Sequence, residues 1–326
     1  MISNIVPILW RATLALSIIC SLPSGVVASD INAQNGTVTV ESTPPVQRKK
    51  VFLALGGGGL RGFAHAGVLK VLERENIHID GVVGTSMGAI IGGLYCAGIK
   101  PADLELEGPR KFVKAFFTAP LLVQAMQAPL LMMTGKSPQG LYTGTKAAKS
   151  INRAVTDQNR EISNLKLKFV AVATDLLSGH TYLIDHGNLG TALQASSAVP
   201  FIRRPVRLDG KLLVDGGVIC NLPVNEARAQ GGDIVIAVDI DEGVDPTADS
   251  FFRKKIGSIT NRSISLILAK IDGPQGAAAD IYIHPDTTGI ALFSKSDSDA
   301  KRAIAAGEEA AIKALPAIRA KLATSQ

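Results

Sequence analysis

Cysteine is scarce in this chain, with three residues, Cys20, Cys96 and Cys220, in 326. So few and so widely spaced, they build no disulfide framework, and no Cys/His spacing suits zinc. Aromatic residues are 5% of the chain and tryptophan occurs once. The basic residues fall in short groups, Arg48-Lys49-Lys50, Arg203-Arg204 with Arg207, and Arg253-Lys254-Lys255. A nucleic-acid partner, which needs a basic track with stacking side chains, is therefore disfavoured. No Gly-Lys-Ser or Gly-Lys-Thr adjoins the glycine-rich turn, which excludes a P-loop there, and no repeat of fixed period is present.

What remains is the composition of a packed globular protein: 46% hydrophobic, 19% charged, net charge +6 and pI near 9.2. That length holds one large α/β domain or two small ones. The positive balance favours an anionic partner; most basic groups are expected on solvated surface, with an anionic membrane surface as the second use. After Arg11, the apolar segment Ala12 to Leu22 is shorter than the ~20 residues that span a bilayer and leads to Val26-Val27-Ala28, small residues of the kind signal peptidase accepts. Residues 1–28 read as a secretory signal, which predicts a periplasmic or secreted protein; an uncleaved anchor is the alternative, because Ile5 to Trp10 is also apolar. Cys20 does not fit a lipoprotein site, since Ile18 and Ile19 stand where small residues belong. Cys96 and Cys220 are expected to be buried free thiols.

Residues 29–50, polar and carrying Pro44-Pro45, read as a flexible leader, and 51–326 as a single domain. Val51 to Leu55 is a short continuous apolar run, the pattern of a strand buried on both faces; Gly81 to Val83, Phe169 to Ala173 and Ile234 to Val238 repeat it. Helical spacing follows the first two, over Ala64 to Arg74 and Ala89 to Ala97. Strands alternating with helices predict a mostly parallel sheet covered on both faces. Ile281 to Ile283 is a candidate last strand and Asp299 to Leu315 a closing helix. The apolar stretch Phe112 to Met133 reads either as ordinary core or as a cap over an acyl entrance.

Three motifs carry the chemistry. Gly84-Thr85-Ser86-Met87-Gly88 follows a buried strand and opens a helix, the setting in which a tight turn exposes a serine hydroxyl. Alone, the motif also fits a helix cap with Ser86 as N-cap. A serine hydroxyl needs a base, worth about 10²–10⁴-fold in rate, and Asp215, ending an apolar run before Gly216-Gly217, is the candidate proton acceptor. The rival is a triad with His284, the one histidine in the right order. In the glycine run, amides at Gly57, Gly58 and Gly59 can face an oxyanion, with Arg61 either binding a lipid phosphate or bracing the loop. The same run satisfies Gly57-x-Gly59-x-x-Gly62, and with Asp80 it makes a dinucleotide fingerprint the competing reading. Asp239, Asp241, Glu242 and Asp245 offer oxygen ligands for calcium, yet no ligand spacing recurs and a solvated loop is expected. No cofactor or metal is assigned.

The ordered set Gly57-Gly58-Gly59-Leu60-Arg61-Gly62, Gly84-Thr85-Ser86-Met87-Gly88 and Asp215-Gly216-Gly217 resembles the patatin-like phospholipases. The likeness is to their small bacterial branch and runs from about Val51 to Asp239, including Ala173-Thr174-Asp175-Leu176 with Ser178-Gly179, and Ala195 to Pro200 before Pro205-Val206. It implies a three-layer α/β/α fold and a Ser86–Asp215 dyad hydrolysing acyl esters of phospholipids and related lipids. Gly56 departs from the Asp that many members carry there. A catalytically silent lipid-binding member of the same fold is the third reading.

Overall fold

The computed structural model describes residues 48–104, 143–244, 246, 248–254 and 258–324; the signal segment, most of the leader, Phe112 to Met133 and Asp245 lie outside these. The strands are β1 (Val51–Leu55), β2 (Gly81–Thr85), β3 (Lys168–Asp175), β4 (His180–Ile184), β5 (Val206–Leu208), β6 (Lys211–Asp215), β7 (Ile234–Val238) and β8 (Ile281–Ile283). The helices are α1 (Ala64–Arg74), α2 (Met87–Cys96), α3 (Thr145–Ala154), α4 (Leu189–Ser196), α5 (Val224–Ala229), α6 (Asp249–Lys254), α7 (Ser258–Ala277) and α8 (Asp297–Ala323).

These strands form one sheet with neighbour order β5-β6-β3-β2-β1-β7-β8, and β4 also pairs with β3. The pairs β1–β2, β2–β3, β1–β7 and β7–β8 are parallel, while β4, β5 and β6 join antiparallel. Every residue of β1, β2 and β7 is buried, as continuous apolar runs with a layer on each face require. Strand periodicity sorts the two sides: Leu53, Leu55 and Val82 pack with α1, α2, α4 and α8, whereas Phe52, Ala54 and Val83 pack with Leu222 and with Val224 and Ala227 of α5. The fold is thus a three-layer α/β/α sandwich around a mostly parallel sheet.

Register decides where β6 lies. A strand has two edges. Ala171 pairs with both Gly84 and Ile184, and Ala173 with both Tyr182 and Asp215. Therefore β2 and β6 share one edge of β3, β2 leaving it at Val172 through Thr85 and β6 taking it at Ala173 through Asp215. Gly216 permits this junction: a Cβ there would lie 2.5 Å from the Val172 carbonyl oxygen.

Several elements go beyond the sequence expectation, two of them against a local signal. The closing helix runs on to Ala323, past Pro316. Helix α7, which sequence reading left unassigned, carries Gly273 and Pro274 within it, residues that read as helix breakers. Cys96 and Cys220 are buried free thiols. Among the described residues no helix is long and apolar enough to cross a membrane.

Helices α1 and α8 cross at two glycines: a Cβ on Gly67 would lie 2.0 Å from the Ile304 carbonyl oxygen, and one on Gly307 would lie 2.0 Å from that of Ala64. Backbone-to-backbone packing of this kind admits no side chain. Gly307→Val is expected to cost about 3 kcal/mol or more, read as a lowered midpoint in chemical denaturation; a midpoint at the wild-type value would contradict the crossing.

Candidate active site

Ser86 stands between β2 and α2 with φ 53° and ψ −114°, a conformation side-chain-bearing residues rarely adopt. The glycines two positions away make the turn possible. A Cβ on Gly84 would come within 2.6 Å of the Gly88 and Ala89 backbone, and one on Gly88 within 2.2 Å of the Leu55 carbonyl oxygen. The Ser86 N–H donates to Ser196 Oγ at 2.9 Å, and that hydroxyl donates to the Val172 carbonyl at 2.6 Å. The serine side chain is left half-buried at the start of α2, where the helix dipole favours negative charge.

The Ser86 hydroxyl donates to Asp215 Oδ2 at 2.6 Å. The other carboxylate oxygen accepts the Gly217 N–H at 2.8 Å, and the Asp215 N–H donates to the Ala198 carbonyl at 3.1 Å. Asp215 is 6% exposed. Its burial pushes the carboxyl up from 3.8 to about 6, against the opposing pull of the Ser86 and Gly217 hydrogen bonds and the positive charge of Arg203. It is therefore ionised at neutral pH and more basic than a solvated aspartate.

The glycine turn lies across from this pair. Gly58 and Gly59 line an apolar cavity of about 280 Å³ together with Ser86, Asp215, Phe201, Leu268 and Phe293, and their amides donate to nothing among the described residues. Gly57 differs from the group reading that put all three amides at an oxyanion: its N–H donates to the Asn221 carbonyl at 3.3 Å. Arg61 resolves to a brace. It is 1% exposed, its Nε donates to the Ile290 carbonyl at 2.7 Å, and its guanidinium pairs with Glu242 at 2.7 Å. The Leu60 N–H donates to the Leu292 carbonyl at 2.9 Å, so the segment 290–292 buttresses the turn. From α1, His65 adds a further tie. Burial lowers its ring to about 4, so it is neutral, and Nε2 must carry the proton because its partner at 2.8 Å is the Gly56 carbonyl.

Other sequence candidates fall elsewhere. Asp80 precedes β2, a strand's length of roughly 17 Å from the glycine turn, and accepts both Arg48 and the Val51 N–H. The structure does not bring the dinucleotide set together. His284 follows β8, three strand spacings or roughly 14 Å from β2. It stacks on Tyr282 and sits 3.9 Å from Asp239. The solvated acidic loop is also corrected. Asp239 and Asp241 are 8% and 4% exposed and meet Asp272 of α7, with one oxygen from each within 4.8 Å of the others. That spacing would suit a cation, but a donor occupies it: Asn221 Nδ2 lies 2.7 Å from Asp272 Oδ2 and 3.3 Å from Asp241 Oδ2. Tyr282 donates to Asp239 at 2.6 Å, and Glu242 is engaged by Arg61. Burial and the neighbouring negative charges push Asp241 far above the ordinary carboxylate range, so it keeps its proton at neutral pH.

Sequence reasoning assigned no role to Ser196, Ala198 or Asn221, and grouped Arg203 with basic residues most of which are expected on solvated surface; the structure buries it at 4% exposure. The block Ala195 to Pro200 was the available signal, since it serves both members of the pair. Asp175 does similar work: its Oδ1 accepts the Leu177 and Leu212 N–H groups, tying the β3–β4 turn to β6.

A three-layer α/β/α sandwich with a serine on a strained strand-to-helix turn, bonded to a buried carboxylate beside a glycine turn, defines a class of serine–carboxylate proteins. A family model described as Patatin-like phospholipase matches residues 53–228, more than half of the chain, and the chain belongs to that family. An uncharacterized NTE family protein of Mycobacterium tuberculosis is 34% identical over 191 residues, covering 59% of this chain and 49% of the relative. Lysophospholipase NTE1 of Yarrowia lipolytica is 34% identical over 192 residues, 58% of this chain and 12% of that protein. The chain thus spans about half or less of the length of these curated relatives. Among solved structures, VipD from Legionella pneumophila aligns with TM-score 0.49 and 14% identity, covering 83% of this chain and 67% of that one.

The Asp215 carboxyl has a consequence for stability. Its folded-state value near 6 exceeds 3.8, so the folded protein holds the proton more tightly and loses stability as pH rises from about 4 to about 6, the loss reaching on the order of 3 kcal/mol above that. Asp215→Asn, which mimics the protonated form, is expected to melt higher than wild type at pH 7.5, with the gap closing near pH 4. Equal melting temperatures at both pH values would contradict the cost of burial.

Proposed function

We propose that the chain is a lipid acyl hydrolase of the phospholipase A or lysophospholipase type, with Ser86 as nucleophile and Asp215 as base. The observation that carries this reading is the 2.6 Å hydrogen bond from Ser86 Oγ to Asp215 Oδ2 at the wall of an apolar cavity. Family membership and the lysophospholipase among the relatives support lipid esters as the substrate class.

Ser86 Oγ attacks the ester carbonyl carbon as its proton passes to Asp215. The carbonyl oxygen becomes an oxyanion facing the Gly58 and Gly59 amides; each such donor is typically worth ~2.7–4 kcal/mol in the transition state. Cleavage of the C–O bond releases the alcohol, which takes the proton from Asp215, and leaves the acyl group on Ser86. Water then attacks the acyl-enzyme, giving a proton to Asp215; as that intermediate collapses, Ser86 recovers a proton and the fatty acid leaves. The leaving oxygen and the attacking water occupy the same side of the carbonyl carbon, so one carboxyl serves both half-reactions.

Export belongs to the same proposal. Residues 1–28 would direct the chain to the periplasm or outside, and the net charge of +6 would favour an anionic membrane surface, where such substrates reside.

Mixed phospholipids, lysophospholipids and triglycerides, with products read by mass spectrometry, test the activity. Wild type is expected to release fatty acid, Ser86→Ala to release none, and a fluorophosphonate to add to Ser86. Hydrolysis persisting in Ser86→Ala would end the assignment. Because Asp215 must be ionised to accept a proton and lies near 6, kcat/KM is expected to fall about tenfold per pH unit below that value. His284→Ala should keep nearly full activity; a loss as deep as that of Ser86→Ala in folded protein would restore the triad.

A further inference from the structure

Both backbone groups of Gly57 are held by one residue. Its N–H donates to the Asn221 carbonyl at 3.3 Å, and Asn221 Nδ2 donates to the Gly57 carbonyl at 3.4 Å. The C=O of Gly57 and the N–H of Gly58 belong to one trans peptide plane and point in opposite directions. Whatever fixes the Gly57 carbonyl toward Asn221 therefore fixes the Gly58 N–H away from it.

Asn221 is 2% exposed, and its amide orientation is itself dictated. Three acceptors surround Nδ2: Asp272 Oδ2 at 2.7 Å, Asp241 Oδ2 at 3.3 Å and the Gly57 carbonyl oxygen at 3.4 Å. The Asp272 carboxylate and the Gly57 carbonyl can only accept, so the amide must present its NH₂ group to them; turned over, it would set its oxygen against both. Asp272 is anchored in turn, its Oδ1 accepting the Leu222 N–H at 2.8 Å. A chain of hydrogen bonds thus runs from α7 through Asn221 to the peptide that carries the Gly58 amide.

Resting on the reading that the Gly58 amide faces the oxyanion, we propose that Asn221 is a positioning residue that sets the 57–58 peptide plane, and that Asp272 holds Asn221 in the orientation this requires. Asn221 acts through the glycine turn, without taking part in bond making.

Asn221→Leu preserves volume and removes the donor. Its kcat is expected to fall roughly 10- to 100-fold, less than the 10²–10³ of an oxyanion donor removed outright, with KM within about twofold. Fluorophosphonate labelling of Ser86 should slow by a similar factor, because the P=O oxygen takes the oxyanion's place. The Gly58 ¹⁵N–H resonance, a readout independent of turnover, should move, and its exchange with solvent should quicken. Asp272→Asn, which keeps its shape, should lower kcat in the same sense, and adding it to Asn221→Leu should cost nothing further. Wild-type kcat in folded Asn221→Leu, an unmoved Gly58 resonance, or losses that multiply in the double variant would overturn the proposal. If Asn221→Leu does not fold, Asp272→Asn decides alone, by whether kcat falls and the Gly58 resonance moves. Wild-type protein without Ser86-dependent hydrolysis would instead overturn the hydrolase reading, and the Gly58 resonance would still decide the role of Asn221.

Discussion

The constraint on which the rest of the site depends is the sharing of one edge of β3. Strand β2 occupies that edge up to Val172, and β6 arrives from the opposite direction to occupy it from Ala173 onward. Thr85 and Asp215 thereby become neighbours along β3, and the next residue after Thr85 is Ser86. Residues 129 apart in the chain meet at 2.6 Å because two strands end at the same junction. The supporting bonds serve that junction: Ser196 reaches the Ser86 amide, the Ala198 carbonyl takes the Asp215 amide, and Thr85 Oγ1 donates to the Cys220 carbonyl at 3.0 Å.

Holding the pair there works against the folding free energy at several points. Ser86 is kept in a backbone conformation that favours glycine, and Asp215 is kept charged although it is buried. Three buried carboxyl groups gather behind the glycine turn, which is tolerated because donors from Asn221, Leu222 and Tyr282 meet them and because Asp241 keeps its proton. The packing of α1 against α8, of β1 against β2 and β7, and of both apolar faces of the sheet over-determines these local conflicts. Rigid elements therefore supply the geometry, and the strained groups are concentrated at the junction of β2 and β6.

Much of this was legible in the chain. Continuous apolar runs gave β1, β2, β3 and β7, because a strand buried on both faces leaves an unbroken signature. The serine turn was legible because its glycines answer to local sterics, within two residues on either side. The antiparallel strands β5 and β6 and helix α7 were harder to see: β5 and β6 are short and partly exposed, and α7 runs through Gly273-Pro274. Arg61 shows the boundary well. The residue itself stood out, yet nothing near it in sequence announces Glu242 or the Ile290 carbonyl, which make it a buried brace.

By itself the sequence determined the layered α/β class and the tight turn at Ser86, since these follow from periodicity and from contacts between near neighbours; the pair most worth testing came from the order of the three motifs and the family they resemble. Only the tertiary structure decided that Asp215 lies beside Ser86 and His284 does not, that the Gly57 amide is already spoken for, and that Asp239 and Asp241 are buried with Asp272. Those are matters of strand register and of which loops share an end of the sheet. A chain of residue types does not encode them locally, because they arise from hydrogen bonds between segments that are dozens to more than a hundred residues apart and from burial once those segments have packed.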